Sequence, residues 1–85
     1  MAGSSVESVV NSITESVRMG RLVPGQRLVE AEFTRNLGVS RGTVREAFAR
    51  LVSDGLLNFE RHRGVTVRLM TRKQVDDLFN VRTSL

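Results

Sequence analysis

The sequence predicts a small, mainly α-helical domain that carries one β-hairpin. Three segments have apolar residues at helical spacing, and each of them ends at a glycine. Two short segments, 57–60 and 65–69, alternate apolar and polar residues, as strands with one buried face do. With 85 residues, 40% of them hydrophobic, the chain is long enough for one domain with a modest core.

The first predicted helix has the features of a scaffold element. It begins at a capping box, in which Ser4 and Glu7 each satisfy a backbone N–H group, and it closes at Gly20. Arg18 lies near its C-terminal end, where a cation suits the helix dipole. The apolar stripe of this helix comprises Val6, Val9, Val10, Ile13 and Val17.

A turn and a short second helix follow. Pro24-Gly25 is typical of a turn, and Leu28-Val29 predict one short strand. The second helix is expected over Glu30–Leu37, with Gly38 as the left-handed residue that stops it. No hydroxyl, Asp or Asn residue stands at its start to cap it.

The third helix carries the clearest start and stop signals. Ser40 is the expected N-cap, because its side-chain oxygen can accept a backbone N–H of the first turn, and Asp54-Gly55 ends the helix. Its apolar residues Val44, Ala47, Phe48, Leu51 and Val52 form one continuous stripe that belongs to the core.

The exposed N-terminal end of this third helix has the character of a DNA-reading element. Arg41 and Arg45 lie one turn apart and off the apolar stripe, with Gly42 and Thr43 beside them. A helix end that enters a DNA major groove needs this slim, cationic and hydroxyl-bearing surface. With the short second helix, residues 30–49 therefore predict a helix-turn-helix.

The predicted hairpin strengthens this interpretation. Leu57 and Phe59 are expected to face the same side as Val65, Val67 and Leu69. The tip has the composition of a wing that reaches phosphates or the minor groove, because it contains Arg61, His62, Arg63 and Gly64. The fold class is therefore a winged helix-turn-helix, a three-helix bundle plus a wing at 57–69.

The start of a fourth helix follows the wing. Thr71 and Gln74 form another capping box, and Val75, Leu78 and Phe79 begin an apolar stripe. That stripe has little left to cover in so small a domain. We therefore expect residues 71–85 to open a further domain or to form a dimer contact, in a chain that is truncated.

Composition limits the functions that are possible. The formal net charge is +4, from 13 Lys and Arg against 9 Asp and Glu, which suits a polyanionic partner. All but one of the 13 are arginine, a bias that bidentate contact with phosphate or guanine and a GC-rich genome explain equally well. The absence of cysteine excludes disulfides and thiolate metal sites. Without a secretory signal or an apolar run of membrane-spanning length, a cytoplasmic protein with no membrane partner is expected.

With these features in place, residues 5–70 resemble the N-terminal winged helix-turn-helix domain of the GntR family of bacterial transcription regulators. Three segments carry the resemblance: GRLVPGQRL, EAEFTRNLGVSRGTVREAFARLVSDGLL and RHRGVTV. The tail MTRKQVDDLFNVRTSL resembles the linker and first helix of the FadR-like (FCD) subfamily. That resemblance implies a missing all-helical C-terminal domain, which binds a small-molecule effector, often a carboxylic acid and sometimes with a metal. It implies no cofactor in the present domain.

The resemblance also assigns candidate residues. It implies contacts with phosphates and bases from the turn and the third helix, and minor-groove contacts from the wing. Two positions depart from the family: Ala31 stands where many relatives place an arginine, and Gly42 where they more often have threonine, proline or alanine. The complete candidate set is Ser40, Arg41, Gly42, Thr43 and Arg45 in the third helix, Arg61, His62, Arg63 and Gly64 in the wing, and Arg35 in the second helix.

Several of these residues have simpler explanations. Arg35, like Arg18 and Arg21, fits an ordinary solvated charge, although Arg35 could also touch the DNA backbone. Glu46 is expected to pair with Arg50 four residues on, or with an arginine at the rim of the core, because phosphate would repel it. For the lone His62, a wing-tip contact or plain solvation is favoured over a metal-binding or general-base role.

Three classes of function remain at this point. The leading hypothesis is a transcription regulator, most often a repressor, that binds a palindromic DNA operator as a homodimer. An alternative is a winged helix used for contact with another protein, which predicts hydrophobic exposed positions in place of arginines. An enzyme has almost no support, because no acid, base or nucleophile constellation is present.

Overall fold

A computed structural model describes residues 3–69 and 72–79 of the chain. Four helices and three short strands follow one another along the chain: α1 (Gly3–Arg18), β1 (Arg27–Leu28), α2 (Glu30–Leu37), α3 (Arg41–Asp54), β2 (Leu57–Glu60), β3 (Gly64–Val67) and α4 (Arg72–Phe79). The predicted fold class is confirmed: three helices and a three-stranded antiparallel sheet form a winged helix-turn-helix. Among the described residues, no helix is long and apolar enough to cross a membrane.

The core lies where α1 packs across α3, and the predicted stripes of both helices line it. Val9, Ile13 and Val44 have no exposed surface. The remaining core residues are Val10, Val17, Leu28, Ala47, Phe48, Leu51, Leu56, Leu57 and Val67. Because both helices use one continuous apolar face for this packing, the orientation of α3 is set by α1 and by the sheet behind it.

The bounds of α2 and α3 agree with the sequence prediction, and the predicted caps explain why. Gly38 has the left-handed φ of 66°, and its N–H donates to the carbonyl oxygen of Thr34 at the end of α2. Ser40 accepts a hydrogen bond from the backbone N–H of Thr43 at 3.1 Å, as an N-cap does. Gly55, with a φ of 90°, closes α3.

Three predicted boundaries are displaced. Helix α1 begins at Gly3, so Ser4 lies inside the helix and is not the N-cap of the predicted capping box. The first strand is Arg27–Leu28 instead of Leu28–Val29, because Val29, in an extended conformation, serves as the N-cap residue of α2. Strand β3 ends at Val67, two residues earlier than predicted.

The sheet has the order β1–β3–β2, with both neighbouring pairs antiparallel. Leu57 stands opposite Val67 and Phe59 opposite Val65, so the predicted common face is confirmed for these four residues, whereas Leu69 lies beyond the end of β3. Only the inner end of that face is covered, however: Leu57 is 1% exposed, whereas Phe59 is 68% exposed.

The fourth predicted helix is present as α4. Its predicted capping residue Thr71 lies outside the described residues, as do the side chains of Val75, Leu78 and Phe79. Residues 80–85 of the predicted tail also lie outside them.

Candidate nucleic-acid interface

The first turn of α3 presents both predicted arginines to solvent. The side chains of Arg41 and Arg45 are 68% and 64% exposed. Gly42, between them, is also exposed, and a Cβ at this position would meet nothing closer than the hydroxyl of Ser40 at 3.9 Å. The first turn of α3 therefore presents two guanidinium groups on one face, with the bare backbone at Gly42 beside them.

A carboxylate at the start of α2 holds both arginines, which sequence reasoning missed. Arg45 donates through Nε to Oε2 of Glu30 at 2.9 Å, and the Nε of Arg41 lies 3.9 Å from Oε1 of the same carboxylate. Cations near a helix N-terminus oppose the helix dipole, and Glu30 offsets part of this repulsion. The separation of 15 residues hid this pair, because only the folded helix-turn-helix brings the two helix starts together.

Ser40 and Thr43 form a small hydroxyl cluster in the same turn. Besides accepting the Thr43 N–H, the Ser40 hydroxyl lies 2.9 Å from the Thr43 hydroxyl. Both hydroxyl groups are thus held in place by the cap. A phosphate oxygen reaching this turn would meet oriented O–H and N–H groups beside Arg41.

The wing tip presents three exposed residues, Arg61, His62 and Arg63, in the turn that joins β2 to β3. Gly64 begins β3 with a φ of 82°, a conformation that favours glycine. Among these residues, Arg63 is anchored: its Nη2 donates to the carbonyl oxygen of Gly25 at 3.1 Å, and its Nη1 lies 3.6 Å from a Glu60 carboxylate oxygen.

The carboxylate of Glu60 also accepts a hydrogen bond from Thr66, at 3.1 Å. Thr66 is the buried polar residue of the sheet, with 1% of its surface exposed. Glu60 therefore satisfies a buried hydroxyl and holds Arg63 at the same time. These contacts fix the base of the wing tip against the turn that follows α1.

The two predicted DNA-contacting regions lie on opposite walls of one groove. Its lining includes Arg41 at the start of α3 and Gly64 in the wing. Arg27 and Ala31 line the same groove, so the position at which relatives often place an arginine does belong to this surface. Sequence reasoning did not select Arg27, because the strand predicted there began at Leu28 and left Arg27 outside it.

The remaining charged candidates are placed elsewhere. Arg35 is exposed in the last turn of α2, at the opposite end of that helix from Glu30. Glu46 does not form the expected ion pair with Arg50, which instead donates to Glu7 of α1 at 2.7 Å. That hydrogen bond raises the pKa of Arg50 above its ordinary value. Pairing of Glu46 with an arginine at the rim of the core stays a prediction.

Near the end of α1, Arg18 forms an exposed ion pair with Glu15 one turn earlier. The hydrogen bond from Arg18 lowers the pKa of the Glu15 carboxyl. In the part of the chain that the structure describes, no group of three or more His, Cys, Asp or Glu residues is arranged to hold a metal ion.

Comparison with known proteins gives the family. Residues 5–67 match the model of the bacterial regulatory proteins of the gntR family. The chain belongs to the GntR family. YdhC of Bacillus subtilis (strain 168), an uncharacterized HTH-type transcriptional regulator, is 33% identical to it over 75 residues, which are 88% of this chain and 34% of YdhC.

Two further GntR relatives are informative. The probable D-xylose utilization operon transcriptional repressor of Paenarthrobacter nicotinovorans is 36% identical over 73 residues, 86% of this chain and 32% of that protein. The DNA-binding domain of AraR, solved in complex with operator ORR3, is similar with a TM-score of 0.69 and 34% identity, covering 74% of this chain and 77% of the AraR chain.

This GntR chain spans about a third of the length of the curated relatives described above. What it shares with the AraR domain is the part of that protein solved on operator DNA. The chain is therefore the winged helix-turn-helix DNA-binding domain of a GntR transcription regulator.

Proposed function

We propose that this domain binds a palindromic operator as a homodimer and that the complete regulator represses transcription when it is bound. The repressor relative and the AraR domain on its operator support this function. One observation in the structure carries it. Arg41, one of the two exposed arginines of α3, and Gly64, which follows the basic tip of the wing, line a common groove, as expected of two elements that engage one duplex together.

In this proposal α3 enters the major groove with its N-terminal turn. An arginine fork matches the O6 and N7 acceptors of guanine, so Arg45, held by Glu30 at 2.9 Å, is the residue we assign to base contact. Arg41 is held less closely, at 3.9 Å, and can turn toward a phosphate or a base. Ser40, Thr43 and the bare backbone at Gly42 contact the sugar-phosphate strand.

The wing supplies the second set of contacts. Arg63 is tied to the Gly25 carbonyl, so we assign the reach into the minor groove to Arg61 and His62, with Gly64 allowing close backbone approach. Arg35 would contribute a backbone contact at most, because it lies at the far end of α2.

The complete protein is the proposed ligand-responsive unit. We propose that residues 71–85 form the linker and first helix of a FadR-like (FCD) C-terminal domain, which supplies the main dimer contacts and binds a small carboxylate, with or without a metal. Effector binding there would change the spacing of the two DNA-binding domains and hence their operator affinity. Such a regulator works in the cytoplasm.

The DNA-binding proposal is tested by selecting duplexes from a randomised library and then measuring the affinity for the selected duplex at increasing salt concentration. We expect the complete regulator to select an inverted-repeat consensus, and the affinity to fall steeply with salt. Arg41→Ala and Arg45→Ala should each reduce the affinity about tenfold or more. Arg21→Ala is the matched control, because this exposed arginine lies in the turn after α1 and should leave binding unchanged.

Two results would contradict the proposal. Absence of binding to any duplex, or binding that is insensitive to salt, would remove the DNA-binding function. Because the proposed C-terminal domain supplies the main dimer contacts, the homodimer is tested on the complete regulator: selection of an asymmetric site occupied by a single subunit, measured by sedimentation of the complex, would remove the palindromic homodimer.

A further inference from the structure

Phe59 is a large apolar side chain that strand β2 of the wing leaves in solvent. It lies on β2, opposite Val65 of β3, on the same face of the sheet as the buried pair Leu57 and Val67. Yet 68% of its surface is exposed, because α3 covers only the inner end of this face. An aromatic ring that is two-thirds exposed contributes little to the stability of the fold.

Phe59 forms one wall of an open groove of about 360 Å³ between the wing and α3. The opposite wall is the flank of α3, where Ala49 and Val52 follow Arg45 along the helix. Phe48, packed edge-on against Phe33 with ring centroids 5.6 Å apart, contributes the floor. The interior of this groove is therefore mainly apolar.

The rim of this apolar groove is cationic. A second groove shares Phe48, Phe59 and Val65 with the first, and it continues to Arg27, Arg41 and Gly64. The acid that lines both, Glu30, is already engaged with the two arginines of α3. An occupant must therefore combine an apolar edge with negative charge on its outside.

We propose that Phe59 is a DNA-contacting residue whose ring packs on deoxyribose groups of the strand that passes between α3 and the wing. This inference rests on the proposed function. When α3 occupies the major groove and the wing tip the adjacent minor groove, one sugar-phosphate strand separates them and passes over the groove. Its sugars present C–H edges to Phe59, while its phosphates face the arginines on the rim.

The charge of the rim favours DNA over a second copy of the chain. Two copies joined at this face would bring the arginines of α3 and of the wing against one another, and like charges brought together in an interface oppose association. A duplex instead neutralises them. Protein–protein use of this face is therefore an outcome of the test below.

An apolar contact of this kind has a distinct signature. Loss of the ring removes buried apolar area but no ion pair with phosphate, so it lowers affinity without changing the salt dependence. Loss of an arginine that contacts phosphate lowers both. Measured together, the affinity and the slope of its salt dependence separate the two roles.

The experiment compares Phe59→Ala, Phe59→Leu and Leu69→Ala with the wild-type chain on the duplex that the wild type selects. Leu69 is the matched control, because it is 73% exposed and follows the end of β3. We expect Phe59→Ala to bind about five- to tenfold more weakly with an unchanged salt slope. Phe59→Leu should retain most of the affinity, and Leu69→Ala all of it. Thermal unfolding should be nearly the same for all four proteins.

Several results would overturn the inference. Equal affinity of Phe59→Ala and wild type would do so while leaving the proposed function intact, since the wild type would still bind. A salt slope that falls in Phe59→Ala would mean that the ring acts by placing an arginine. A loss of self-association in that variant, measured by sedimentation without DNA, would assign the face to a second copy. Failure of the wild type to bind any duplex would remove the proposed function first.

Discussion

The first turn of α3 and the tip of the wing are both rich in arginine, but they are held in different ways. In α3, a capped helix and the Glu30 carboxylate position Arg45 closely and Arg41 more loosely. In the wing, Arg63 donates a hydrogen bond to the Gly25 carbonyl oxygen, whereas Arg61 is exposed in a three-residue turn. A fixed fork can discriminate between bases, whereas a cation on a turn supplies charge wherever a phosphate lies.

The largest expected difference between the two regions is in base specificity. Arg45→Ala should cost about 1–3 kcal/mol on the selected duplex and relax the preference at one base pair of each half-site. Arg61→Ala should weaken binding evenly across sequences and lower the salt slope by about 1. Repeating the library selection with both variants measures this difference. If Arg61→Ala altered the consensus more than Arg45→Ala, the roles assigned to the two regions would be reversed.

A glycine in each of the two regions should respond to alanine substitution with an opposite change in the free energy of unfolding. Gly64→Ala should destabilise the wing by about 1–2 kcal/mol, because its φ of 82° is strained for any residue with a Cβ. Gly42→Ala should instead stabilise α3 by about 0.5–1 kcal/mol, because this glycine lies in a helix and a Cβ there would be 3.9 Å from the Ser40 hydroxyl, an ordinary contact distance. Urea unfolding of both variants gives the two free energies. Stabilisation by Gly64→Ala would contradict the strained conformation.

The cap of α3 is expected to have an effect of similar size. Ser40→Ala removes the acceptor for the Thr43 N–H and should lower the free energy of unfolding by about 1 kcal/mol. Ser40→Asp should restore stability but not DNA affinity, because a carboxylate in this turn repels phosphate. Ser53→Ala, at an exposed position near the other end of α3, is the control and should change stability by less than about 0.5 kcal/mol.

The smallest expected change in stability follows from removing the charge that holds the arginines. Glu30→Gln should alter the free energy of unfolding by less than about 1 kcal/mol, because the ion pairs that it makes are exposed. We expect Glu30→Gln to bind random duplexes more tightly than the wild type does. The ratio of its affinities for the selected and random duplexes, the specificity margin, should therefore be smaller. A competition assay with both duplexes measures that margin. An unchanged margin would mean that the carboxylate does not position Arg45.

Local signals carried most of the fold prediction. Ser40 and the glycines at 38 and 55 act on their own backbone, so they placed the ends of α2 and α3 without any knowledge of the tertiary structure. The periodic stripes identified the core for the same reason. The start of α1 was displaced, because the Ser4–Glu7 spacing occurs equally well inside a first turn.

Contacts between distant segments were beyond the reach of the sequence. The partner of Arg50 is Glu7, 43 residues away, whereas the helical spacing pointed to Glu46. The alternation of β2 gave the correct face for Phe59 but not its exposure, which depends on how far α3 extends over the sheet. Arg27 entered the candidate surface only when its strand paired with β3.

Strand β1 connects the wing with the start of α2, although it is only two residues long. It pairs with the wing strand β3, and the N–H of Gly25 just before it donates to the Val67 carbonyl. Two residues after β1 stands Glu30, whose carboxylate holds Arg45. One short piece of backbone therefore joins the wing to the carboxylate that contacts Arg45. A duplex that displaces the wing would shift the support under Arg45, so that minor-groove width could influence which base the helix accepts in the major groove.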